Sequence, residues 1–102
     1  MLAQDIKIQP TSPYQITESD WNEYNYFVVL VRLGGSDVSV CFNKKIAELV
    51  GFLTEAPYMY SNSSYNAGCY IVLNGENKTV GLNFTFSNGW NGSCLATIYG
   101  IK

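Results

Sequence analysis

Two stretches of this 102-residue chain hold the side chains best able to grip another molecule. In the first, residues 87–92, Trp90 stands between Asn88 and Asn91, with Gly89 before it and Gly92 closing the stretch. An indole in such a turn offers a flat apolar surface suited to the C–H face of a sugar ring, and the amides beside it supply donors and acceptors. In the second, Tyr58, Tyr60 and Tyr65 are interspersed with Asn62, Ser63 and Ser64. Rigid amphipathic rings mixed with small adaptable polar groups are the composition of recognition loops. Each stretch also has a plainer reading. Trp90 can plug the end of a fold or touch a neighbouring subunit, and Tyr58 and Tyr60 can be ordinary strand residues.

The same inventory argues against catalysis. The chain has no histidine, so the commonest general base near neutral pH and the commonest metal ligand are both missing. Any cysteine nucleophile would lack an imidazole partner. The eight carboxylates are scattered, with no pair that spacing would set across a glycosidic bond. Gly34-Gly35 sits between two apolar runs and opens no helix, so it is no phosphate cradle. The chain is expected to be no enzyme, with no cofactor and no metal.

The elements that must position these loops are strands. Residues 26–33 are apolar on both alternating faces, which predicts a strand covered on both sides, by a second sheet or by a neighbouring copy. Gly34-Gly35 turns it into an alternating strand carrying Val38, Val40 and Phe42, a β-hairpin. A second hairpin is expected around Asn74-Gly75, its return strand facing Val80, Leu82, Phe84 and Phe86 inward. Residues 93–99 form a last strand. Residues 43–53 fit two patterns. Ile46, Leu49, Val50 and Leu53 have helical spacing behind a capping Asn43, but Lys44 and Lys45 oppose the helix dipole, and a strand or irregular crossover is favoured. Trp21, Tyr24 and Tyr26 read as packing, next to one helical turn capped by Thr17 or Ser19. Residues 1–15, broken by Pro10 and Pro13, read as an N-terminal arm with at most one short strand. Residues 16–102 then form a single all-β domain: an antiparallel, jelly-roll-like sandwich of seven to eight strands.

Bulk composition narrows the partners. Charged residues make up only 14% of the chain, against about 25% in typical proteins. That leaves a surface covered either by Asn, Ser and Thr or by another copy of the chain. The net charge of −2 and the scattered basic residues argue against nucleic acid. The longest apolar run, residues 26–31, is far short of the roughly 20 residues of a membrane span, and no signal peptide is visible. Cys41, Cys69 and Cys94 fall in predicted strands and read as buried thiols, with a Cys41–Cys69 or Cys69–Cys94 bridge as the alternative. Four segments match the N-glycosylation pattern, at Asn62, Asn77, Asn83 and Asn91, as a chain with ten Asn produces by chance.

The order of features also carries a resemblance. A polar stretch from Ile16 to Glu23 leads into Tyr24-Asn25-Tyr26-Phe27-Val28-Val29-Leu30-Val31, Asn- and Gly-rich hairpin loops follow, and the chain closes with Ala96-Thr97-Ile98-Tyr99-Gly100-Ile101-Lys102. Over residues 16–102 this resembles the C-terminal domains of phage and prophage tail proteins. The resemblance implies a β-sandwich tip domain of a tail fibre or baseplate receptor-binding protein. It further implies a homotrimer that binds host cell-surface saccharide, sits in the virion and is released by lysis. The alternative within the same setting is a structural virion or assembly protein whose aromatic residues make subunit contacts.

Overall fold

The computed structural model describes residues 1–9, 12–33, 36–61, 66–88 and 94–102; at 33, 36–38, 56–61, 66–69, 84–88 and 94 the description is of the backbone alone. Among the described residues, eight strands and two short helices run in the order β1 (Ala3–Ile8), β2 (Tyr14–Gln15), α1 (Glu18–Glu23), β3 (Tyr26–Leu33), β4 (Ser36–Asn43), α2 (Lys44–Val50), β5 (Phe52–Ser61), β6 (Asn66–Asn74), β7 (Thr79–Asn88) and β8 (Cys94–Ile101). They form two four-stranded sheets, β1-β8-β3-β4 and β2-β7-β6-β5, and every pairing is antiparallel. The expected all-β sandwich is what the chain forms. First pairs with last and second with seventh, the nesting of a jelly roll, while β3–β4 and β5–β6–β7 are plain hairpins within one sheet.

The interior follows from strand periodicity. Ile8, Phe27, Val29, Val31, Val40, Phe42, Ala96 and Ile98 point in from the first sheet, and Ile71, Leu73, Val80 and Leu82 from the second. All belong to one buried cluster, as two sheets packed face to face require. Trp21 closes one end. It is buried, stacks on Phe27 with ring centres 5.3 Å apart, and donates its indole N–H to Glu48 at 3.3 Å. Tyr24 meets Phe27 edge-on and lies against Gly100, where a larger residue would collide with its ring. The packing role read for Trp21 and Tyr24 is therefore observed, whereas Tyr26 points outward and is exposed.

Three expectations are corrected. Residues 1–15 are no free arm: β1 pairs with β8, β2 with β7, and Ile8 is fully buried. β1 and β2, the strands before Pro10 and after Pro13 in the sequence, belong to different sheets.

Residues 44–50 form a helix, not a strand or irregular crossover. The Asn43 side chain accepts from the Ile46 N–H at 3.1 Å, and Gly51, at φ 98°, ends the helix by donating to the Ala47 carbonyl at 2.8 Å. The lysine objection fails for a tertiary reason. Lys44 extends to the carbonyl of Trp21 at 2.7 Å, which gives its charge an acceptor on another helix. The backbone of α2 rests directly on Gly75, where any Cβ would strike the Ala47 carbonyl. Gly75 thus serves a close approach, and the left-handed residue of the β6–β7 turn is Lys78, with Asn74 Oδ1 accepting from the N–H groups of Glu76 and Asn77.

Cys41, third, is not a buried thiol. It stands free and exposed, because its register partner is Val28 on the outward side of β3.

Candidate functional site

Two regions can contact another molecule. The first is one end of the sandwich. Ser61, the last residue of β5, pairs with Asn66, the first of β6, and Asn66 pairs in turn with Asn88, the last of β7. The strand ends bordering both Tyr/Asn/Trp stretches therefore lie side by side. Tyr58 and Tyr60 are placed in β5, opposite Cys69 and Ala67, and Asn88 at the end of β7. Asn62, Tyr65, Trp90 and Asn91 lie outside the described residues. Leu33 and Ser36, which flank Gly34-Gly35, and the start of β8 belong to the same end of the other sheet, since Arg32 pairs with both Asp37 and Leu95.

The second region is the outward face of the sheet β1-β8-β3-β4, which sequence reading did not single out. Directly opposed residues share a face. The pairs Tyr26↔Ile101, Val28↔Tyr99, Leu30↔Thr97 and Arg32↔Leu95 thus run in a row along its two central strands. Tyr26, Leu30, Leu95, Tyr99 and Ile101 are each between 37% and 46% exposed. Ser39 and Cys41 continue the face on β4, and Lys7, opposite Leu95, continues it on β1. Its signal was present in the residues, because 26–33 is apolar on both faces and the second sheet covers only one of them.

A β-bulge shapes one corner of this face. Between Ala3 and Ile6 the β1–β8 register shifts, and Asp5 adopts φ 50°, a conformation that Asp tolerates better than most residues. Its N–H donates to Thr97 Oγ1 at 3.1 Å. Beside the bulge is an open cleft of about 200 Å³ that sets apolar Leu30, Val31 and Leu95 against polar Asp5, Arg32, Ser39 and Thr97. Both charge signs thus occur at one margin, while the centre of the face is uncharged.

Neither region gathers three or more His, Cys, Asp or Glu in metal-binding range among the described residues. The one described ionisable group with a clear shift is Tyr14 on β2, in the other sheet. Burial, and secondarily the Asp20 carboxylate, push its hydroxyl above its ordinary value. No described helix is long and apolar enough to cross a membrane. Comparison with protein-family models, curated proteins and solved structures gives no match.

Proposed function

We propose that this chain is a non-catalytic recognition domain of the phage-tail type, acting as a homo-oligomer that binds host cell-surface saccharide through one end of its sandwich. The observation that carries the reading is the register Ser61↔Asn66↔Asn88, which brings the borders of the two aromatic, Asn-rich stretches together. The reading assigns Tyr58, Tyr60, Asn62 and Tyr65 from one stretch and Asn88, Trp90 and Asn91 from the other to a shared recognition surface. Flat rings among amides suit the alternating apolar and hydroxyl faces of a sugar. Each site binds weakly, and several copies on one assembly raise the avidity. The resemblance over residues 16–102 supplies the setting, a virion protein released by lysis, and implies a trimer.

Binding of the intact chain and of Trp90→Ala to a glycan array tests this. Retention of a saccharide by the first and its loss by the second, with an unchanged melting transition, is the expected result. Loss of the melting transition in the variant would assign Trp90 to packing. A second reading has its own support in the exposed outer face with Tyr26 and Tyr99: a structural virion or assembly protein whose aromatics make subunit contacts. An oligomer that retains no saccharide would favour it.

A further inference from the structure

We propose that the outward face of the sheet β1-β8-β3-β4 seats the same face of neighbouring copies of this chain, across a twofold or around a threefold axis. The inference deepens the homo-oligomer part of the function just proposed by naming the surface.

Composition is the first argument. Along the two central strands the outward residues are Tyr26, Val28, Leu30, Arg32, Leu95, Thr97, Tyr99 and Ile101, with one charge among eight. Interface cores show this depletion of charge and enrichment in aromatics, and ordinary solvated sheet faces do not. The opposite sheet is more mixed: its outward side carries Thr54, Asn74, Thr79 and Asn83, with Tyr70 and Val72 half-buried and Phe52 exposed at the start of β5.

Size is the second. Four strands about 4.8 Å apart and roughly eight residues long at about 3.3 Å each project about 500 Å². The accessible surface of such a corrugated face exceeds its projection and approaches the roughly 800 Å² that a stable interface takes from each partner.

Charge selects the partner. One end of the face carries both signs, Asp5 and Lys7 on β1, Arg32 on β3 and Asp37 opposite it on β4. A surface with acidic and basic groups at its rim and none at its centre is complementary to itself once a symmetry axis brings two copies together. It has no excess of either sign to select a strongly charged partner. The low overall charge of the chain, 14%, fits a protein that hides surface in its own assembly.

The intact chain and three single variants, followed by sedimentation equilibrium, test the proposal. Leu30→Glu and Ile101→Glu introduce charge at two separate, partly exposed points of the face. Leu49→Glu does the same on α2, where Leu49 is 77% exposed and off the face. The intact chain is expected to sediment as two or three copies, each face variant to dissociate with a constant raised about a hundredfold, and Leu49→Glu to match the intact chain. Circular dichroism establishes that each variant is folded, and the two face variants guard against one failing to fold. A monomer at the highest soluble concentration, or an oligomer indifferent to both face variants, overturns the proposal. So does dissociation by Leu49→Glu alone, which would transfer the contact to α2, or saturable capture of a different protein by the monomer. Saccharide binding on the array is read separately, so loss of the assembly claim and loss of the sugar claim remain distinct.

Discussion

Along β8 the outward positions are Leu95, Thr97, Tyr99 and Ile101; along β7, at the matching place in the other sheet, they are Thr79, Gly81 and Asn83. Both strands lie in the middle of their sheets and both turn fully buried residues inward, Ala96 and Ile98 in one and Val80 and Leu82 in the other. The inner faces are alike because each must fill the other's grooves. The outer faces are free to differ, and they do. One mixes Thr54, Asn74, Thr79 and Asn83 with half-buried Tyr70 and Val72, is partly overlain near Pro13, and has Phe52 exposed beside α2. The other is largely apolar along its two central strands, with its charged positions gathered at one end, in the row Lys7–Leu95–Arg32–Asp37 and at Asp5. In a two-layer fold the alternate residues of a strand therefore answer separate questions. The inward ones report the partner sheet, and the outward ones report what lies beyond the chain.

The edges sharpen the contrast. β5 carries Pro57 and a register shift between Glu55 and Tyr58, β1 carries the Asp5 bulge, and β2 is two residues long. These features discourage pairing by strand addition at three of the four edges.

The largest expected effect tests whether the two sheets share one interior. Ile98→Ala in the first sheet and Ile71→Ala in the second should each cost about 3 kcal/mol in urea unfolding, since both are fully buried in one cluster. A large difference between them would mean that the sheets do not pack equally on a common core. Next comes Gly75→Ala, expected to cost about 2 kcal/mol, because its Cβ would displace α2 from the second sheet. That variant should leave sedimentation unchanged, which separates the helix from the assembly face. Asn43→Ala removes the cap of α2 and should cost about 1 kcal/mol, a loss that Asn43→Asp restores in large part.

The smallest effect belongs to the second sheet alone. Tyr14 is raised in the folded state above the roughly 10 it has when unfolded, so the unfolded chain releases this proton first. The stability it contributes is full below about pH 10 and is lost as pH rises toward the folded value. Tyr14→Phe should flatten that alkaline part of the stability profile while leaving neutral pH nearly unchanged. An identical slope in the variant would remove Tyr14 as its source.

Much of the sandwich was legible because its signals are local. The alternating strands on either side of Gly34-Gly35 and of Asn74-Gly75 predict two hairpins, and both form, although Gly75 itself answers to the approach of α2 and the left-handed residue of its turn is Lys78. What escaped depends on distant partners. Helix α2 opens with two lysines, and the first of them finds an acceptor in the Trp21 carbonyl, 23 residues away, while the bare backbone at Gly75 gives the helix room against the second sheet. β1 and β2 are short and separated by prolines, and they become strands because β8 and β7 supply hydrogen bonds from the far end of the chain. The outward face was half legible: the double apolarity of residues 26–33 announced a second cover without saying where the matching residues of β8 would fall. Of the aromatic loop residues, the fold places Tyr58, Tyr60 and Asn88 on strands, and Asn62, Tyr65, Trp90 and Asn91 lie beyond the described residues.

Cys41 provides a built-in reporter for the apolar face, being free, exposed and opposite Val28 on its β4 side. The most direct measurement is its alkylation rate, read by peptide mass mapping, as the protein is concentrated from micromolar to millimolar. Self-association through this face predicts a rate that falls steeply with concentration in the intact chain and stays constant in Leu30→Glu. A rate that is independent of concentration in the intact chain would contradict it.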